Sequence, residues 1–205
     1  MVMARLLVLV SMTLTLAGCL VLPDTYIKAS APGAEQHSSA CAGAGPYKNM
    51  AVLNGPEGIM ISIQPSLPRS TIFIDVKLYI PPTSPVSVRF ASGVFLLTDE
   101  VTKVVHEYRA EHVWGPLAAG GPRINIQAPL SDTPRIPHRG LPNPPRWFGK
   151  TIDYNPYSIS FSFKDVQSKQ FRLRIPPLIV GAQTFEFPDV DIREVREWIV
   201  GTLNC

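Results

Sequence analysis

Proline narrows the choice of fold more than any other feature of this chain. It occurs at 21 of 205 positions, roughly twice its usual share. Each proline removes a backbone donor and breaks helix interiors and central strands. Long helices are therefore confined to the few proline-free stretches, and short strands joined by turns become the expected alternative. Hydrophobic residues make up 45% and charged residues 17% of the chain. That composition supports a buried core and argues against disorder by charge repulsion.

The clearest strand signal is Ile72-Phe73-Ile74-Asp75-Val76-Lys77-Leu78-Tyr79-Ile80, with aliphatics at every even position and Pro81-Pro82 as its stop. A period of two places the aliphatics on one buried face. Weaker versions occur at Ile59/Ile61/Ile63, Val86/Val88/Phe90, Ile124/Ile126, Ile159/Phe161/Phe163 and Phe171/Leu173/Ile175. Residues 93–98 are apolar on both faces, which suits a central strand. Val104, His106 and Tyr108 lead a strand toward Trp114, and residues 184–187 form a short last one. About eight strands joined by short turns predict a mainly β fold, an antiparallel β-sandwich, immunoglobulin-like or similar. Near the C-terminus, Asp191 and Glu194 match a capping box, and Ile192, Val195, Trp198 and Ile199 share a helical stripe. That spacing predicts a short helix with Trp198 plugging one end of the sheets.

The first residues read differently. Met1 to Arg5 is a short positive start, and Leu6 to Leu16 is an apolar run of eleven residues. A membrane-spanning helix needs about twenty residues, whereas an export leader needs about seven to fifteen. Leu16-Ala17-Gly18-Cys19 follows. These four residues resemble the lipobox of bacterial lipoprotein precursors. The resemblance covers residues 1–19 and implies diacylglyceryl on the Cys19 thiol, cleavage between Gly18 and Cys19, and acylation of the new amine. Two or three acyl chains hold a protein firmly on a bilayer. Leu20, rather than Asp, follows the cysteine. In a Gram-negative source this implies the outer membrane, with the domain facing the periplasm.

The expected organisation is a leader over 1–18, a lipidated Cys19 with a flexible tether to residue 40, and a folded domain over 41–205. The tether, rich in Ala, Ser, Gly and Pro, has an r.m.s. reach of about 25 Å. Cys41 and Cys205 bracket the domain. An oxidising compartment and an even number of remaining cysteines favour a disulfide between them, with two free thiols as the alternative. Without Arg5 the basic residues fall from 19 to 18 against 16 acidic ones, a net charge of +2. That is too mild to imply a nucleic-acid partner.

Catalytic patterns are weak. His106-Glu107-Tyr108-Arg109-Ala110-Glu111-His112 places its second histidine two residues too late for a zinc-binding helix, and it falls on strand-like sequence. No Gly-x-Ser-x-Gly, phosphate loop, metal set or cofactor motif is present. Asp99-Glu100 and Asp189/Asp191 could do acid–base chemistry only if gathered in a cleft. One long segment, residues 129–149, combines six prolines with Arg135, His138, Arg139, Arg146, Trp147 and Phe148. Prolines stiffen a loop, and arginine and tryptophan suit interfaces. Arg139, Arg146, Trp147 and Phe148 are thus candidate anchors for an acidic or carbohydrate-bearing partner, unless the segment is a sheet crossover with its aromatics in the core. The sequence leads to a membrane-anchored, non-catalytic binding or assembly module of the cell envelope. The alternatives are a periplasmic or cell-wall enzyme, which a cleft gathering Asp99, Glu100, Glu107 or His112 would favour, and a carrier of small apolar ligands.

Overall fold

A computed structural model describes residues 19–37, 48–68, 70–81, 87–115, 122–130, 146–147, 150–151 and 156–202. The strands are β1 (Cys19–Ser30), β2 (Glu35–His37), β3 (Met50–Asn54), β4 (Met60–Ser66), β5 (Ile72–Tyr79), β6 (Val88–Phe90), β7 (Val94–Asp99), β8 (Val105–Arg109) and β9 (His112–Trp114). They continue with β10 (Arg123–Asn125), β11 (Arg146–Trp147), β12 (Lys150–Thr151), β13 (Tyr157–Phe163), β14 (Gln170–Arg174), β15 (Leu178–Val180), β16 (Gln183–Phe185) and β17 (Val190–Thr202). A 3-10 turn, Pro56–Gly58, separates β3 from β4. The protein is mainly β, and its sheets are antiparallel.

Two sheets dominate. The first has the order β1-β17-β14-β7-β8 and the second β10-β9-β13-β5-β4-β3-β2. A small sheet, β16-β15-β6, and the pair β11-β12 complete the described pairings. Alternation in β5 translates directly into burial: Ile72, Ile74, Val76 and Leu78 are each at most 1% exposed, while Phe73 is 46% exposed. Each such aliphatic contributes about 1.5–3 kcal/mol on leaving water. They join Ile61 and Ile63 of β4, Phe95 and Leu97 of β7, Phe171 and Leu173 of β14, and Val88 and Phe90 of β6 in one core. The second sheet is also buried on part of its other face, at Met50, Val52, Ser62 and Tyr79. There burial pushes the Tyr79 phenol up to about 12, against a hydrogen bond with Ser62 that pulls it down.

Three expectations are corrected. The predicted C-terminal helix is absent; its residues form β17, the longest strand. In the strand the helical stripe divides between two faces: Ile192 is fully buried beside Val190, while Val195 falls on the opposite face. A helix of about nine residues is marginal alone, whereas β17 acquires a ladder partner on each side at its start. Asp191 does not cap a helix; it lies 3.6 Å from Arg172, while Glu194 meets Lys169 at 2.6 Å. Trp198, expected as a core plug, is 73% exposed.

The expected tether is the third correction. Cys19–Ser30 forms β1, paired residue for residue with β17 from Cys19↔Thr202 to Ser30↔Asp191, and Glu35–His37 pairs with β3. Ile27 and Ala29 enter the core, and the Ala29 N–H donates to the Asn49 carbonyl. Pro23 is tolerated because β1 is an edge strand, where a missing donor goes unanswered only by solvent. On the other face of the pair, the Tyr26 hydroxyl donates to Glu197 Oε2 at 2.6 Å and Lys28 to Oε1 at 3.0 Å. These two donors hold the Glu197 carboxyl below the usual carboxylate range. Cys41 and Cys205 lie outside the described residues.

Candidate functional site

The run His106 to Trp114 is not one strand. β8 belongs to the first sheet, beside β7, whereas β9 belongs to the second, beside β13 and β10. The chain changes sheets at Ala110, and Gly93 makes the change possible. The Ala110 N–H donates to the Gly93 carbonyl at 2.8 Å. A Cβ on Gly93 would sit 2.0 Å from the Ala110 carbonyl oxygen, so only glycine admits this approach. The next carbonyl, of Glu111, accepts from the Ile126 N–H at 3.0 Å, which ties down the far side of the corner.

This corner opens a groove of about 340 Å³ lined by Tyr108, Arg109, Glu111, His112, Trp114 and Arg123. Its support is rigid. Tyr108 stacks on Phe161 with centroids 4.7 Å apart and planes 14° apart, and Phe161 meets Phe95 at 5.0 Å and Phe163 at 5.6 Å. Trp114 remains 40% exposed. The Arg123 guanidinium lies 4.8 Å from its ring centroid, a cation–π contact that fixes both side chains. Arg109 forms an ion pair with Glu107. Glu111 also lines the groove, so Arg109 and Arg123 stand against Glu107 and Glu111, and the corner is a charge-balanced, amphipathic surface with an exposed indole, fitted to a polar ligand. A second recess of about 470 Å³ lies where β1 leaves the sheets, lined among others by Tyr26, Asn49, Leu67 and Glu194. Its one acidic group, Glu194, is already paired with Lys169.

The acidic candidates stand apart from the groove. Asp99 is 1% exposed at the β7–β8 turn, where its Oδ1 accepts from the Val101 N–H at 2.9 Å and the Thr102 N–H at 3.0 Å. Burial works to raise its pKa, but hydrogen bonds from Thr102, Ser168 and Val101 prevail and hold it below the usual carboxylate range. Glu100 binds Lys103 at 2.7 Å and Arg172 at 3.2 Å. The Lys103 hydrogen bond is the largest influence lowering its carboxyl. Asp189 takes both Nε and Nη2 of Arg174. Of the four residues that a catalytic cleft would have gathered, the groove contains His112 alone. His106 and His112 stand in different sheets, and among the described residues no group of three His, Cys, Asp or Glu could hold a metal ion.

Of the proline-rich segment, Arg139 and Phe148 lie outside the described residues. Arg146 and Trp147 form β11, registered with Thr151 and Lys150 of β12. The segment's start is packed: Leu130 is 1% exposed and its N–H donates to the Val88 carbonyl at 2.6 Å. The residue that sequence reasoning missed is Arg123. The signal existed, because Trp114 and Arg123 bracket the glycine- and proline-rich sequence 115–122, and antiparallel pairing makes them direct cross-strand neighbours. No protein-family model, curated protein or solved structure matches this chain.

Proposed function

We propose that the chain is a lipid-anchored binding module of a bacterial cell envelope. Its two main sheets form a β-sandwich that presents the groove at the Ala110 corner to an acidic, carbohydrate-bearing partner. The carrying observation is the pairing of exposed Trp114 with Arg123 in a groove that Arg109 and His112 also line. A flat indole stacks on a sugar ring, and guanidinium groups meet carboxylates in a fixed fork. The absence of gathered carboxylates or metal ligands among the described residues of the groove favours binding over chemistry. The aromatic rings beneath pack on one another, which favours a filled core over a ligand-carrying interior. The anchor reading rests on Leu16-Ala17-Gly18-Cys19, and the outer-membrane reading on Leu20.

Two measurements test this. Mass spectrometry of the mature N-terminal peptide should find a diacylglyceryl-modified Cys19, and an unmodified thiol there refutes the anchor. Binding to anionic cell-wall glycans should weaken at least about tenfold in Trp114→Ala and in Arg123→Ala. It should weaken with added salt as well. Equal binding by both variants, with unchanged melting, refutes the groove.

A further inference from the structure

The outer face of the second sheet is divided. At one end Met50, Val52, Ser62 and Tyr79 are buried. At the other end Ser66, Phe73, Trp114 and Ser160 are exposed, and Ser158 and Ser162 are half-buried. Register fixes how the open end is laid out. Ser158 of β13 pairs with Trp114 of β9 on one side, and Ser162 of β13 pairs with Phe73 of β5 on the other. Paired residues point to the same side of a sheet, as do residues two apart along a strand. Trp114, Ser158, Ser160, Ser162 and Phe73 therefore share one face. Two strand spacings across and four residues along separate the two aromatic residues, about 16 Å in a flat sheet.

The ground between them is low and polar. The Ser160 hydroxyl donates to Asp75 Oδ1 at 2.7 Å, and Lys77 meets Oδ2 of the same carboxylate at 3.2 Å. Phe73 has a serine beside it on each neighbouring strand, Ser162 and Ser66. Neither is long enough to cover its ring, and Phe73 stays 46% exposed. An exposed apolar side chain is ordinary when it stands alone. This one shares a face with the groove's exposed indole, with the serines of β13 in line between them.

We infer that the glycan bound in the groove runs on across this face, from Trp114 over the serines of β13, and stacks a more distant sugar on Phe73. The inference rests on the glycan reading of the groove and narrows its ligand to a linear polysaccharide, because a terminal sugar or a disaccharide is too short to cover both rings. Serine hydroxyls donate to and accept from sugar hydroxyls. An aromatic ring takes the apolar face of a sugar. The Asp75–Lys77 pair carries no net charge, so an acidic chain crosses it without net repulsion. Affinity then has two parts. The arginines of the groove make one part sensitive to salt, and stacking on Phe73 makes the other insensitive to it.

The test measures binding of the full chain to peptide-free cell-wall glycan strands, sorted by length into disaccharide and octasaccharide. The octasaccharide should bind at least about fivefold more tightly. Phe73→Ala should remove about five- to tenfold of the octasaccharide affinity and leave disaccharide affinity within about twofold. Phe73→Trp should keep both, and Trp114→Ala should weaken both. Added salt should weaken the unsubstituted protein and Phe73→Ala alike, so that the ratio between them holds. Unaltered melting confirms that the variants fold. Equal affinity for the two lengths, or octasaccharide binding that Phe73→Ala leaves intact, overturns the inference; the groove reading still stands if Trp114→Ala weakens both lengths. Binding of neither length refutes the groove reading and the inference with it.

Discussion

β5 with β13 and β1 with β17 are both antiparallel ladders, yet they stand in opposite relation to the core. Seven residue pairs join β5 to β13, from Phe163↔Ile72 to Tyr157↔Leu78, and the inward side chains of both strands are buried. Twelve pairs join β1 to β17, but among its described side chains Ile27, Ala29, Val190 and Ile192 are those that reach the core. Over the described side chains the longer ladder thus buries less. A backbone hydrogen bond contributes about 1 kcal/mol net, because water competes for both partners. A buried large side chain contributes about 1.5–3 kcal/mol. The shorter ladder should therefore dominate stability, and the longer one should serve position.

The largest expected effect lies in the shorter ladder. Phe161 is 6% exposed and touches the rings of Phe95, Tyr108 and Phe163. Phe161→Ala should cost about 3–5 kcal/mol, read from the denaturant midpoint. A cost under about 1 kcal/mol would mean that the ring cluster is not the support of the groove. Next comes the sheet-changing corner. Gly93→Ala places a methyl group against the Ala110 carbonyl, and the backbone must shift to admit it. A loss of about 1–3 kcal/mol is expected, with a matching loss of glycan binding because Tyr108 and His112 separate. Full stability in this variant would break the assignment of the corner.

The same contrast explains what could be read in the sequence. β4, β5, β13 and β14 were legible because alternation there coincides with burial: Ile61 and Ile63, Ile72 to Leu78, Ile159 to Phe163, and Phe171 with Leu173 each line the core. β1 was not legible. Its inward positions carry Pro23, Thr25, Ile27 and Ala29, a period too weak to separate from a polar tether, and what holds it is a partner 171 residues away in the Tyr26–Glu197 contact. β17 was misread because Ile192, Val195 and Trp198 satisfy a helical spacing while the ladder that overrules it is non-local. The groove was half legible. Trp114 and His112 were noted, but the break at Ala110 depends on a close approach by Gly93 that leaves no local pattern.

A smaller effect should appear with acid at the β7–β8 turn. The folded-state pKa of Asp99 is depressed, so its contribution to stability is full above the unfolded value of about 3.9. That contribution is lost as pH falls through the folded value, when protonation weakens the acceptance of the Val101 and Thr102 N–H groups. Asp99→Asn should cost about 1–2 kcal/mol at neutral pH. The difference from the unsubstituted protein should shrink steadily below about pH 4. A difference that stays constant down to pH 2 would show that the charge of Asp99 has no part in holding the turn, leaving shape alone as its role.

The smallest effect separates position from stability most cleanly. Trp198 is 73% exposed, so Trp198→Ala should move the unfolding free energy by no more than about 0.5 kcal/mol. Tyr26→Phe removes the hydroxyl that donates to Glu197 and should cost only about 0.5–1 kcal/mol, because the pair is partly exposed. Its effect should be local. Amide exchange should quicken in β17 beyond Arg193, where β1 is the sole described ladder partner, and stay unchanged over Val190–Arg193, where β14 also pairs. A global rise in exchange would mean that the β1–β17 pair unfolds with the core as one cooperative unit. The difference drawn between the two ladders would then be one of exposure and not of energy.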